Sequence, residues 1–294
     1  MDFLHETLPN AVAFTLGNIS ISWYGLCLSL GMLSAYFITY LLSRKRNIPL
    51  GRLTDLLLLT AFLGFIGARL YHVLNEPVYY WQHPGDIFQI WQGGLAIHGG
   101  ILVGLLVLYY GARRLQLPLL RLTDLLAPGV LLGLSIGRWG NYFNQELFGR
   151  PTSLPWGIPI AESLRPESYI NASYFHPVFL YESLIDLFGV VLLLGFIWLE
   201  RKRQNDTAIG VVTALFFLLY GVGRFAAELF RFDATPHIIG IRLPLIVSAL
   251  FILLGFWMLI RISQKRYPLP VRPEHSTLKS DANPRPNYPR SHQG

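Results

Sequence analysis

Charge is scarce in this chain. Asp, Glu, Lys and Arg make up 14% of its 294 residues, against about 25% in soluble domains, while 52% are hydrophobic. Too few polar side chains remain to cover a water-soluble globule of this length, which makes the chain a polytopic membrane protein. Cysteine is nearly absent as well. Cys27 stands alone, which excludes an internal disulfide, and no Cys/His spacing offers a metal site. No Lys or Arg precedes Arg44, and Met1–Asn10 carries Asp2 and Glu6 instead. That is the wrong sign for the n-region of a signal peptide, so the first apolar segment is expected to stay as an anchor.

The formal net charge is +7, and its placement speaks against nucleic acid. Basic residues cluster at Arg44-Lys45-Arg46 with Arg52, at Arg113-Arg114 with Arg121, at Arg201-Lys202-Arg203, and at Arg261, Lys265 and Arg266. Such clusters at every second junction between apolar spans are the positive-inside signal. With about 20 apolar residues needed per crossing, the hydropathy pattern predicts spans near 18–42, 53–74, 94–112, 122–139, 177–199, 208–229 and 239–261. The expected fold class is therefore all-α with seven transmembrane helices, the N-terminus outside and the C-terminus cytosolic. One catalytic domain is expected over 1–266, with a small extracytoplasmic cap at about 140–176. Residues 267–294, rich in proline and polar residues, read as a disordered cytosolic tail.

One repeat stands out, at an offset of 69 residues. Pro49-Leu50-Gly51-Arg52-Leu53-Thr54-Asp55-Leu56-Leu57 returns as Pro118-Leu119-Leu120-Arg121-Leu122-Thr123-Asp124-Leu125-Leu126, and the match continues through Gly64/Gly133, Arg69/Arg138 and Asn75/Asn144. It reads either as a parallel duplication of two helix pairs or as a convergent signal at the cytosolic ends of two helices.

Polar residues inside the spans carry the functional reading, because charge in a bilayer is costly and marks sites. At 1.5 Å per residue, Arg69 and Arg138 lie about 21 Å above Asp55 and Asp124, and His98 about 22 Å above Arg113. The same arithmetic puts Arg224 about 27 Å above Asp206, Glu182 about 28 Å above Arg201 and Tyr24 about 30 Å above Arg44. Six helices thus bring polar groups to the outer half of the bilayer. Taken singly, each has a plainer reading: a snorkelling arginine for Arg69 or Arg138, a core histidine for His98, an aromatic belt for Tyr24. Glu182 and Glu228 are too short to snorkel. Pro128-Gly129 is read as a kink opening a lateral gap or as a packing feature.

The local context of Arg138 is distinctive: Gly137-Arg138-Trp139-Gly140-Asn141-Tyr142-Phe143-Asn144-Gln145-Glu146-Leu147-Phe148-Gly149-Arg150. This run resembles the signature of bacterial prolipoprotein diacylglyceryl transferases. Supporting segments occur in family order: Trp23-Tyr24-Gly25, Gly67-Ala68-Arg69, Gly93–Gly100 around His98, His176–Glu182, and Tyr220–Arg231. The resemblance spans about residues 18–261 and implies an enzyme of the bacterial inner membrane. It would move the diacylglyceryl group of phosphatidylglycerol to the lipobox cysteine of a preprolipoprotein, forming a thioether and releasing glycerol phosphate. No metal or cofactor is implied, nucleic acid is not a partner, and no oligomeric state is indicated.

Under that resemblance Arg138 and Arg224 suit clamping of the phosphate, and His98 suits the base for a thiol whose ordinary pKa is about 8.5. Tyr24, Arg69, Asn141, Asn144, Glu146, Gly149, Tyr220, Glu228 and Arg231 would complete the substrate-binding wall. Arg69 and Arg138, if in one cavity, would need an anion or acidic partners such as Glu146 or Glu182 between them. A lipid or solute transporter is the rival reading, since paired intramembrane arginines and a duplicated helix pair suit one too. Against it stand His98 and the outer-half depth of all six groups. A purely structural scaffold leaves the buried Arg and Glu residues without purpose.

Overall fold

The computed structural model of the chain describes residues 2–17, 19–44, 48–90, 93–202, 208–233 and 235–264. The tail expected at 267–294 lies outside them, as do Lys45, Arg46 and Arg203. Among the described residues seven long helices carry the fold: α2 (Trp23–Arg44), α3 (Leu50–Asn75), α5 (Ile97–Arg114), α6 (Leu119–Phe143), α7 (Val178–Lys202), α8 (Val211–Glu228) and α9 (Leu243–Gln264). Short helices α1 (Asp2–Glu6) and α4 (Pro77–Gln82) accompany them. Six of the seven, all but α5, are long and apolar enough to cross a membrane. The 18 residues of α5 end in Arg113-Arg114 and include His98 and four glycines, which dilutes their apolar character. Leu58, Phe62, Leu105, Phe188 and Trp257 point outward and exposed, the inverse of a soluble surface.

Two expected spans begin too early. Residues 19–22 are not helical but form β2 (Ile19–Ser22), paired antiparallel with β1 (Val12–Leu16). Ile19-Ser20-Ile21-Ser22 alternates with period two, a strand pattern that a hydropathy window reads only as apolar. At the start of the last span, β5 (His237–Ile238) pairs with β6 (Ile241–Arg242) around Gly240 at φ 75°. The cap also starts later than expected, because α6 continues to Phe143. It comprises the two-residue strands β3 (Ile158–Pro159) and β4 (Tyr174–Phe175) and two single 3₁₀ turns. The N-terminus closes it: His5 stacks on Tyr174 at 4.0 Å, and its Nδ1 lies 2.7 Å from the Gly157 carbonyl.

The repeat recurs in three dimensions. Helix α2 packs along α6, and α3 along α5, so the first helix of each copy lies on the second helix of the other. In one pair a Cβ at Gly31 would stand 2.8 Å from the Gly133 carbonyl; in the other, Gly64 and Gly100 face each other's carbonyls at 3.3–3.4 Å. These glycines are equivalent under the 69-residue offset. Small residues at such crossings let backbones touch, the favoured way to pack helices in lipid. Pro128-Gly129 belongs to the same contact: a Cβ at Gly129 would stand 2.6 Å from the Ala35 carbonyl. The dipeptide therefore sits where two helices approach closely.

A cleft opens alongside this contact. The α2–α6 and α3–α5 pairs join through an apolar core containing Leu53, Leu56, Ala112, Leu122 and Leu125, at the end of the bundle that carries the basic clusters. Beyond it an apolar cleft of about 600 Å³ separates them, lined by residues such as Met32, Tyr36, Leu57, Ala61, Leu108 and Val130. On the other flank α6, α7 and α8 share a core around Leu131, Leu193 and Val212. Asp124 ties this side down. Buried on α6, it accepts bonds from the Gly210 and Thr213 amides at 2.6 and 2.7 Å, capping the first turn of α8 from outside. Its counterpart Asp55 is exposed, so the two copies of the motif serve different ends.

Candidate active site

The site sits where α6, α7 and α8 meet, at the end of the bundle opposite the basic clusters. Local sequence sets the register. Ser135 of α6 and Ser183 of α7 each donate a hydroxyl to the other's carbonyl, at 2.8 and 2.9 Å. One turn above Ser135, Arg138 then meets Glu182, Nη1 to Oε2 at 2.9 Å. On α8, Gly221 lies against α9, its missing Cβ 3.0 Å from the Ser248 carbonyl. Gly223 lies against α7, where a Cβ would strike Ile185. With α8 drawn that close, the next residue, Arg224, reaches the other oxygen of Glu182.

From there an ion network extends. Arg224 also pairs with Glu228 one turn on, at 3.0 Å, and Glu228 accepts from Arg242 at the end of β6, at 2.8 Å. Arg231 makes a two-nitrogen bond to Asp233 at 2.8 and 2.9 Å and lies 4.0 Å from Glu182. Glu182 and Arg231 are each 4% exposed and Glu228 2%. Burial, the largest single influence, weakens the charge of Arg231, but its bond to Asp233 together with the charges of Asp233, Glu182 and Glu228 outweighs that and raises its pKa. Burial likewise raises the Asp233 carboxyl, and the bond to Arg231 together with the charges of Arg231 and Arg242 overcomes it, leaving it below the usual carboxylate range.

Four guanidiniums thus face the three carboxylates that pair with them. Among the described residues Arg138 forms one ion pair, through Nη1 alone, so its Nη2 edge stays open. The network gives outward onto a polar recess of about 700 Å³ lined by Arg150, Arg242, Thr235 and His237. A buried, cationic, partly open guanidinium set beside apolar clefts suits a phosphate attached to an apolar body.

Of the sequence-derived candidates, Arg138, Arg224, Glu228 and Arg231 come together here. Tyr24 joins them from α2. Gly140 has no Cβ to strike its ring, which lies 2.7 Å from where one would stand, and Tyr24 is within electrostatic reach of Arg138 and Glu146. Just above, Asn141 and Asn144 both donate to Oε1 of Glu146, at 2.8 and 3.4 Å. Tyr220 lines the same small void as Arg138 and Arg224. Gly149 is placed by packing: its amide bonds the His176 carbonyl at 2.9 Å, and a Cβ would meet His176, Val178 and the Phe230 carbonyl within 2.7–2.9 Å.

Two candidates stand apart from the network. His98, exposed on the first turn of α5, neighbours the Tyr71 ring at 5.9 Å and forms no ion pair among the described residues. Arg69 finds carbonyl partners in place of the acidic ones that a cavity shared with Arg138 would have required. Buried at 8% exposure, it donates to the carbonyls of Asp86, Ile87, Gly93 and Gly94 at 2.5–2.9 Å. It pins the segment that leads into α5 and His98. Arg69→Ala should therefore cut transfer about tenfold or more by freeing four carbonyls, with faster amide exchange over 86–96. Wild-type exchange there would refute this role.

Sequence reasoning missed Asp186, Asp233, Arg242 and the Ser135–Ser183 clasp. The spacing of Glu182 and Asp186, one helical turn, was the available signal.

The chain matches the prolipoprotein diacylglyceryl transferase family over residues 11–261. It is 39% identical over 273 residues to the phosphatidylglycerol–prolipoprotein diacylglyceryl transferase of Parasynechococcus marenigrum, covering 90% of this chain and 98% of that one. Proteins of the same name from Synechococcus elongatus and Thermotoga maritima are 40% and 39% identical over 275 and 267 residues. These alignments take in 92% and 90% of this chain, and 94% and 89% of the relatives. With its arginine–carboxylate network built on the helices that the match covers, the chain belongs to the prolipoprotein diacylglyceryl transferase family.

Proposed function

We propose that this chain, as a prolipoprotein diacylglyceryl transferase, moves the diacylglyceryl group of phosphatidylglycerol to the lipobox cysteine thiol of a preprolipoprotein. The observation that carries the reading is the Arg138–Glu182–Arg224 node, with an unspent guanidinium edge in a low-dielectric setting. The headgroup phosphate binds between Arg138 and Arg224, and the acyl chains lie in the apolar cleft between the two helix pairs. The thiolate attacks the glyceryl carbon that bears the phosphate. A C–S bond forms, the C–O bond breaks, and the phosphate oxygen leaves with the electron pair as glycerol phosphate. The arginines meet the charge that grows on that oxygen, where fixed donors count most.

His98 takes the thiol proton. Asn141, Asn144 and Glu146 form a hydrogen-bonding rim for the glycerol hydroxyls, and Tyr24 with Tyr220 closes the wall. Arg69 acts through the loop it holds, and Gly149 through the fit of the cap.

The test uses the purified chain, headgroup-labelled phosphatidylglycerol and a lipobox peptide. One glycerol phosphate should be released per thioether formed, and none when serine replaces the cysteine of the peptide. Release with the serine peptide would mean hydrolysis and would overturn the reading.

All seven long helices cross the inner membrane in this reading, with α5 completing a crossing beside α3. The N-terminus and the site lie on the outer side, because Arg44, Arg113, Arg201 and Arg261 all fall at the opposite end. In sealed cells of a Cys27→Ser background, a cysteine placed at position 203 should resist an impermeant thiol reagent. Labelling there would invert the topology and the depth of every group above.

A further inference from the structure

Asp186 lies one helical turn below Glu182 on α7, 5% exposed, and forms no ion pair among the described residues. Its Oδ2 is buried without a hydrogen-bond donor, and the Nε of Arg138 is buried without an acceptor. An orphaned carboxyl acceptor and an orphaned cationic donor are each costly in a protein interior. Both residues line one void together with Glu182, Tyr220 and Arg224, and that void admits about one water molecule. The electrostatic neighbours of Asp186 are the three members of the central node, Arg138, Glu182 and Arg224.

We propose that Asp186 is a positioning residue for the lipid phosphate: through a bridging water, its Oδ2 takes the Nε–H of Arg138 and fixes the plane of that guanidinium. A guanidinium is a flat fork, and its use on phosphate depends on orientation as well as charge. Glu182 holds Arg138 by Nη1 alone, which leaves rotation about that contact free. A second anchor at Nε removes the freedom and aims the Nη2 edge at the headgroup. The peptide thiol is not held by this guanidinium, so the effect of Asp186 falls on the lipid. The inference rests on Arg138 being a headgroup clamp.

Steady-state transfer with the full-length chain, phosphatidylglycerol in mixed micelles and a lipobox peptide separates the possibilities. Asp186→Ala should raise KM for phosphatidylglycerol about tenfold, the size of one lost hydrogen bond to a charged group, while KM for the peptide stays unchanged. Asp186→Glu should restore most of the loss. If the alanine variant does not fold, the isosteric Asp186→Asn decides, with an expected rise of about threefold for the lipid alone, since a neutral acceptor keeps the weaker part of such a bond. An unchanged lipid KM, or equal rises for lipid and peptide, would overturn the proposal. Arg138→Lys serves as the separate control. If it is inactive while Asp186→Ala behaves as wild type, this inference fails and the clamp stands; if the lysine variant is active, the clamp itself fails.

Discussion

Arg138→Lys should lose about a thousandfold in kcat/KM, although the charge is kept, at the upper end of what removing one fixed oxyanion donor costs. The reason is geometric. Arg138 holds Glu182 through one nitrogen and has a second, parallel edge for the phosphate. An ammonium is a compact point charge on a shorter reach and cannot serve two anions from opposite edges of a plane. Lysine would stay with Glu182, the closer and permanent partner. The contact is made when the lipid binds and strengthens as the C–O bond breaks, so its loss falls on both the lipid KM and kcat. The thermal stability of the purified variant should change little, because the ion pair survives. A lysine variant within tenfold of wild type would show that only positive charge is wanted there.

His98→Gln should reduce kcat about a hundredfold or more near neutral pH, the usual worth of a positioned base. The signature is in the pH dependence. Without its base the enzyme must wait for thiol already ionised, so activity should climb toward wild type as pH rises through about 8.5. A loss of equal size at every pH would make His98 an orienting group. The exposed position of His98 on α5, against Tyr71, suits a base that meets its partner only when a peptide is bound. Glutamine keeps the size and hydrogen bonding of the side chain and removes only the titration, so a folding defect is not expected.

The seven long helices were legible because the composition that excludes a soluble fold is the same composition that marks the spans. The strands ahead of α2 and α9 were not. Ile19–Ser22 and His237–Arg242 are as apolar as helix starts, and only their pairing partners make them hairpins. Depth counting along single helices found Arg138, Glu182 and Arg224, which do meet. It could not separate them from Arg69 and His98, which lie at similar depth on the α3–α5 pair. Depth is one coordinate of three; which helix faces which depends on contacts such as Gly31 on Gly133 and Gly223 on Ile185. Arg69 shows the difference most clearly. Its register with Arg138 is real, yet its donors go to loop carbonyls where those of Arg138 go to a carboxylate. Asp186 was missed because its one signal, a spacing of one helical turn from Glu182, belongs to no motif. Its meaning comes from the guanidinium across the void.

The central claim is that the Arg138–Arg224 pair recognises the phosphate of the lipid, and lipid retention tests it most directly. The purified chain, equilibrated in micelles holding equal phosphatidylglycerol and diacylglycerol with the same acyl chains, would be examined by native mass spectrometry. Wild type should retain phosphatidylglycerol over diacylglycerol by about tenfold or more, the least expected of a charge-assisted phosphate contact. An Arg138→Gln/Arg224→Gln double variant should hold the two lipids equally, with diacylglycerol binding unchanged. A preference for phosphatidylglycerol that survives in the double variant would contradict the account.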